Sequence, residues 1–292
     1  NATPFSNPYD LRQEFLNTPA YIISLGKNPT ATPVTLPNTK VEDNIMTNTI
    51  TASIDTATRN MSVVLQKAIS GFRKRTYNSE ALAYTTAMDD DYRSYGGEDD
   101  IRAGMKGAVL DSYEEKLRER KKEDKTRKLE YMKSELGDSY ENITAYNEFT
   151  LNSDGRTWRK QELNYTSKFE LGDMVKIAGD NLLVSVPGLI GDQLFIPQED
   201  RSREVDAYMS YPEVIRTVIN FTIPAGYKAV GIQNLNMNLE NEVGTFAVQA
   251  SVEGNTLNIL VKKHYKNGTV KQEDWPKLVA MLDAAFNFSQ KK

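Results

Sequence analysis

The chain has 292 residues and a formal net charge of −4, with no cysteine and a single histidine. This length suits one large domain or two of ordinary size, and 39% hydrophobic with 26% charged residues is typical of a folded globular protein. The lack of cysteine excludes a thiol nucleophile, a disulfide framework and a cysteine-ligated zinc site, and one histidine excludes a site with several histidine ligands. We therefore predict no metal site and no cofactor.

Two classes of partner are also disfavoured. Nucleic-acid binders usually carry an excess of basic residues, and this chain is mildly acidic. A helix needs about 20 consecutive apolar residues to cross a bilayer, and no apolar run in the sequence approaches that length. We predict neither a nucleic-acid partner nor a membrane span.

Residues 1–78 are predicted as an extended lead-in followed by the first β-strands. Six of the 11 prolines lie within residues 1–45, where only 20–25 has the composition of a strand. Alternating apolar and polar residues predict two longer strands over 47–55 and 60–74, joined by a hairpin turn at 56–59.

Residues 79–137 are predicted to be helical. Ser79 can cap a short helix that runs through Met88, and a longer helix begins near Glu98. Residues 118–128 carry charges of both signs and almost no apolar side chain, which is typical of a solvated helix. Gly137 is predicted to end this helix in the left-handed conformation.

Residues 138–292 return to the period of two that β-strands show, and they end in a helix with Asp274 as its predicted N-cap and Pro276 in its first turn. We predict a mainly β fold, with one or more antiparallel β-sandwich-like units, a helical segment between strands and a C-terminal helix. The predicted strands are 143–151, 163–171, 181–186, 203–208, 214–223, 228–232, 245–252 and 256–265.

His264 is the natural first candidate for catalysis because it is the only histidine. On the strand 256–265 it alternates with Leu257, Ile259 and Val261, so its side chain is predicted to point to solvent. The sequence has no G-x-S-x-G elbow that would supply a serine nucleophile. We predict no catalytic residue in this chain.

Clusters of acidic residues carry little specific information. Neither Asp89–Asp91 nor Glu98–Asp100 follows the spacing of an EF-hand calcium loop, and the second cluster suits the N-terminus of a helix. A pair of carboxylates for glycoside hydrolysis needs a defined separation in space, which the sequence does not reveal.

Exposed aromatic residues could bind a glycan or a peptide. Trp158 is the better candidate of the two tryptophans because Arg156 and Arg159 flank it, whereas Trp275 is predicted to seat the last helix against the sheet. Trp158, Arg156 and Arg159 are therefore the candidate binding residues, and packing remains the alternative interpretation for them.

The ordered series of strands resembles the C-terminal β-rich region of bacterial multidomain transglutaminase-like proteins, a domain of unknown function. The similarity is best from about 140 to 288. It includes a strand ending in Pro-x-Leu at 187–189, a strand ending in Pro-x-Gly-Tyr at 224–227 and the closing helix. The segments that carry the resemblance are 177–189, 201–206, 211–212, 221–227, 241–246 and 275–286.

The resemblance implies an exported, periplasm-facing protein in which a papain-like core precedes the β-rich region. A chain that begins at Asn1 without Met would fit a piece of such a protein. The family's Cys-His-Asp catalytic residues belong to the core, so no catalytic role carries over to this cysteine-free sequence.

Three hypotheses follow. The first is a non-catalytic accessory module that supports or positions the transglutaminase-like core of the same polypeptide, which would be its partner. The second is a stand-alone cell-surface or periplasmic module that binds a glycan or a peptide. The third is a hydrolase that uses two carboxylates or a Ser-Lys pair. The predicted segments are 1–78, 79–137 and 138–292.

Overall fold

We describe residues 15–36, 38–74, 77, 104–155 and 162–292 of a computed structural model of the chain. The centre of the fold is one eight-stranded sheet. Short elements and the C-terminal helix cover one face of this sheet, and the hydrophobic core lies between them. The order of the strands in this large sheet decides which side chains can meet at a site.

The first four strands form two hairpins. Among the residues that the structure describes, strands β1 (Pro19–Ser24) and β2 (Thr30–Thr35) pair only with each other. Strands β3 (Ile45–Ile54) and β4 (Met61–Ile69) pair antiparallel in the middle of the large sheet. Their turn is closed by Asp55, whose Oδ1 accepts a hydrogen bond from the Ala57 N–H at 2.8 Å, as aspartate does in many turns.

The remaining strands of the large sheet come from the second half of the chain. Its order is β11-β12-β13-β10-β3-β4-β6-β5, and every neighbouring pair is antiparallel except β10 with β3. These strands are β5 (Ile143–Asp154), β6 (Leu163–Leu171), β10 (Glu213–Thr222), β11 (Met237–Glu240), β12 (Gly244–Glu253) and β13 (Thr256–Tyr265).

Two further small sheets pair β7 (Val175–Ala178) with β8 (Asn181–Val184), and β9 (Ala207–Tyr208) with β14 (Thr269–Val270). Helix α1 (Ala108–Gly137) is long and charged, and it buries only Met132 and Leu136 near its end. Helix α2 (Trp275–Ser289) buries most of its length against the sheet. Among the residues that the structure describes, neither helix is long and apolar enough to span a membrane.

The alternation of side chains decides which face of the sheet is buried. In β4 the odd-numbered residues from Met61 to Ile69 are all buried, and in β13 Leu257, Ile259 and Val261 are buried while their neighbours are more exposed. At about 25 cal/mol per Å² of apolar surface removed from water, this covered face is the main source of stability.

The predicted fold class is confirmed: the protein is mainly β, its strands are mostly antiparallel, and it ends in a helix. The long helix lies between β4 and β5 in the chain. The predicted segment boundaries at 78 and 137 stay predictions, although β3 and β4 of the first segment are neighbours of β10 and β6 from the third.

Several local predictions are wrong. Residues 228–232 form no strand, and Gly231 is left-handed at the start of a 3-10 turn, Ile232–Leu235. Gly137 is the last residue of α1 and does not have a positive φ, because the chain leaves the helix at Asp138 in the right-handed conformation. Asp274 makes no side-chain capping bond to α2 and instead pairs with Lys277 at 3.0 Å.

Candidate functional site

A row of polar side chains crosses the otherwise apolar covered face of the sheet. Thr217 on β10 lies beside Asn48 on β3, which lies beside Lys67 on β4, which lies beside Tyr165 on β6. Cross-strand neighbours on one face are close enough to interact directly. Polar groups placed here are removed from water and need partners within the protein or from a ligand.

Lys67 and Tyr165 converge on one carboxylate. Glu135, near the end of α1, accepts hydrogen bonds from both the Lys67 ammonium and the Tyr165 hydroxyl. Burial acts to lower the pKa of Lys67, but the adjacent Glu135 and Tyr77 hold that pKa above its ordinary value. Burial and Glu135 both raise the pKa of Tyr165. This cluster therefore joins α1 to the sheet, and within it the negative charge of Glu135 balances the positive charge of Lys67.

A second pair of opposite charges lies at the neighbouring end of the sheet. Arg73 donates two hydrogen bonds to Glu213, from Nε at 2.9 Å and from Nη2 at 2.6 Å, in the bidentate geometry that makes such pairs strong. Burial opposes the charge on Arg73, but Glu213 raises the pKa of the guanidinium above its ordinary value. Both carboxylate oxygens of Glu213 therefore accept a hydrogen bond from Arg73.

Lys263 on β13 has a different environment. Its ammonium donates to the neutral side chain of Gln193, Oε1, at 3.1 Å and lies 5.5 Å from the centre of the Tyr265 ring. Among the described residues no carboxylate lies within ion-pair distance of it. Burial lowers the pKa of Lys263 to about 8, with Glu213 opposing and Arg73 adding to that effect.

Asn48 also keeps an unused polar atom. Its Nδ2 donates to Thr217 Oγ1 at 3.3 Å, and its enclosed Oδ1 has no hydrogen-bond partner in the described part of the chain. An unpaired buried polar atom costs roughly 1–3 kcal/mol, so each one needs an explanation.

A pocket of about 360 Å³ lies between the sheet and its cover, and the polar groups described above that line it are Asn48, Lys67, Arg73, Glu135, Gln193, Thr217 and Lys263. The cover is the segment that follows α1 and the turn at Val186–Ile190, held together where Tyr140 Oη donates to the Leu189 carbonyl at 2.8 Å. Burial raises the pKa of Tyr140, so it stays a neutral donor. The exposed carboxylates of Asp138 and Asp192 also line the pocket, on the side of the cover.

The pocket can hold a small polar molecule. Its volume is in the lower part of the range of ligand sites, which extends from about 300 to 1,000 Å³. Its polar lining includes the Lys67–Glu135 ion pair, the Arg73 guanidinium that Glu213 neutralises, the Lys263 ammonium beside a neutral amide, and the unpaired amide oxygen of Asn48. Within the described ranges, no group of acidic or histidine side chains is arranged to hold a metal ion.

The sequence-predicted site residues lie elsewhere. Trp158, Arg156 and Arg159 fall outside the described residues, so their role stays a prediction. His264 lies on the face opposite Leu257, Ile259 and Val261, as predicted, but it is half-buried, and burial lowers its pKa. Trp275 is buried as predicted, and its Nε1 donates to the Asp200 carbonyl at 3.1 Å.

The fold and the pocket together define the chain as a β-rich globular module with a polar pocket under the cover of its sheet. One family model matches it: residues 182–292 are similar to a Domain of Unknown Function with a solved structure, DUF3858. The match includes β9 to β14 and α2, but less than half of the chain. Neither a curated protein nor a solved structure matches the chain.

Proposed function

We propose that this chain is a non-catalytic accessory module of an exported, periplasm-facing bacterial protein, and that its partner is a transglutaminase-like core of the same polypeptide. The ordered resemblance over 140–288 supports this, and so does the match of 182–292 to a domain of unknown function. The absence of cysteine from the whole sequence means that any such core would have to carry its own nucleophile.

The observation that carries the proposal is an apolar hairpin outside the main sheet. Within the described ranges, strands β1 and β2 pair only with each other, and Ile22 and Ile23 leave more than 60% of their surface exposed. Leu25 at the hairpin tip is 92% exposed. An isolated two-stranded hairpin is at best marginally stable in water, and clustered exposed apolar side chains mark interaction surfaces. The hairpin is suited to docking on a neighbouring domain.

The first test is the reading frame that encodes this chain. The proposal expects a transglutaminase-like core with Cys, His and Asp in the same polypeptide, and a reading frame without such a core contradicts it. The core and this chain are then produced separately and mixed, and their association is measured by calorimetry.

The second test asks whether the hairpin makes the contact. Ile22→Asp should weaken association at least tenfold, because a charge replaces an apolar contact. Thr56 is the matched control, since it is exposed in the turn between β3 and β4, outside the hairpin. Thr56→Asp introduces the same charge away from the hairpin and should have little effect. Equal losses would place the contact elsewhere on the chain.

A further inference from the structure

We propose that the pocket under the cover of the sheet binds a small ligand that carries a carboxylate and an N–H group, namely a free amino acid or the C terminus of a peptide. Lys263 would receive the carboxylate, and Asn48 would accept the N–H. This inference concerns a site separate from the hairpin and does not depend on what the hairpin contacts.

The charges in the pocket favour an incoming carboxylate. Lys67 is compensated by Glu135 and Arg73 by Glu213, whereas Lys263 faces the neutral amide of Gln193. An ammonium has three N–H donors, and the hydrogen bond to Gln193 uses one of them. A buried charge is stabilised when an opposite charge completes its hydrogen bonds. The carboxylate would therefore bind at Lys263 Nζ.

Asn48 favours a donor in the same ligand. Its Oδ1 can only accept hydrogen bonds, and it has no partner among the described residues. Acetate offers no proton to this atom. An amide N–H or an amino group would satisfy it, which favours an amino acid or a peptide over acetate.

The spacing suits a ligand of this size. Strand β10 separates β13 from β3, and Asn48 is offset by two residues from the row of Lys263, Ile215 and Met46. Two strand spacings and that offset place the Cα atoms of Lys263 and Asn48 about 12 Å apart. Their side chains project from the same face into one pocket of about 360 Å³, so a small molecule can contact both.

The acidic side chains of the pocket favour one kind of ligand over another. Asp138 and Asp192 are exposed where the cover meets the pocket. They would attract a positively charged amino group and repel a ligand with several negative charges. A single carboxylate with an amino or amide group at the other end fits this distribution better than phosphate does.

The test is a calorimetric or NMR titration of the full chain with defined probes. Glycylglycine and alanine represent the peptide terminus and the free amino acid, and whichever binds more tightly identifies the source of the carboxylate. Glycylglycinamide lacks the free carboxylate and should bind at least tenfold more weakly than glycylglycine. Acetate and inorganic phosphate should also bind weakly. No binding of glycylglycine or alanine at millimolar concentration would overturn the proposal, as would equal binding of the amide.

Matched variants locate the site. Lys263→Gln should weaken glycylglycine binding at least tenfold, whereas Lys262→Gln should leave it unchanged, because Lys262 is exposed and points to the opposite face of the same strand. Asn48→Leu provides a second variant in case the first disturbs the fold, and it should also weaken binding. A folded Lys263→Gln protein that binds as tightly as the wild type contradicts the assignment. In the wild type, binding should weaken as the pH rises above 8.

Discussion

Replacing Lys263 with methionine removes a charge that is enclosed without a carboxylate partner among the described residues, while it keeps a side chain of similar length. The pKa of Lys263 falls from 10.5 to about 8 because of burial. At about 1.4 kcal/mol for each pKa unit, keeping Lys263 charged in the folded protein costs roughly 3 kcal/mol. The loss of the hydrogen bond to Gln193 offsets about 1 kcal/mol of this. We expect Lys263→Met to raise the free energy of unfolding at pH 7 by about 2 kcal/mol.

The pH dependence provides an independent test of the same reasoning. Because the pKa of Lys263 is lower in the folded than in the unfolded chain, the unfolded chain binds more protons between about pH 8 and pH 10.5. The contribution of Lys263 to wild-type stability therefore rises with pH across that window. The advantage of methionine should be greatest below pH 8 and should shrink towards pH 10.5, above which lysine becomes neutral in both states.

The assay is urea unfolding at pH 7 and at pH 10, followed by tryptophan fluorescence, since Trp275 is buried against the core. Lys262→Met is the control, because Lys262 is exposed on the other face of β13 and its replacement should change stability little at either pH. The reasoning is refuted if Lys263→Met is less stable than the wild type at pH 7, or if its effect is the same at both pH values.

Three further predictions concern the cover, the packing of the sheet and the end of α1. Glu135→Leu should lower the free energy of unfolding by about 3 kcal/mol, because it leaves Lys67 buried without its counter-charge; adding Lys67→Met should recover much of that loss in the same urea assay. Gly244→Ala should cost about 1–3 kcal/mol, since a Cβ there would lie 2.7 Å from the His264 carbonyl oxygen. Gly137→Ala meets no neighbour and lies in a helix, so thermal unfolding should show it to be neutral or stabilising by up to about 1 kcal/mol.

Long strands with regular alternation were the most predictable part of the fold. The sequence-predicted bounds of β6 and β13 agree with the structure to the residue, because each strand buries one face in the core and exposes more of the other. The turn at Gly254 and Asn255 joins β12 to β13, with Gly254 at a positive φ of 59°. A pattern decided by burial can be read from the residues alone.

Short strands were missed because their formation depends on neighbours distant in sequence. Strand β14 has two residues and exists only because Thr269 pairs with Tyr208 on β9. The predicted strand at 228–232 shows the reverse case: its residues alternate, but Val230 is 87% exposed and no strand forms there. Alternation without a buried face does not specify a strand.

The pocket was not predicted from the sequence, although β4 and β13 each have a polar residue at an inward position. Lys67 occupies an inward position of β4 between Leu65 and Ile69, and Lys263 occupies the inward position that follows Val261 on β13. One polar residue in an apolar series is ambiguous by itself. Strand order brings these positions together, and the parallel pairing of β3 with β10, which are far apart in sequence, could not be predicted from the residues.

Lys263 is expected to affect both the stability of the protein and its affinity for the ligand, and one variant can test both effects. A domain is stable by only about 5–15 kcal/mol, so a lysine that costs roughly 3 kcal/mol is a large loss unless it has a use. Methionine fits the same space without a charge. We expect Lys263→Met to be more stable than the wild type at pH 7 and to bind glycylglycine at least tenfold more weakly. A variant that gains stability and keeps its affinity would show that the lysine does not serve binding. If the lysine destabilises the free protein because it serves binding, its replacement should gain stability and lose affinity together.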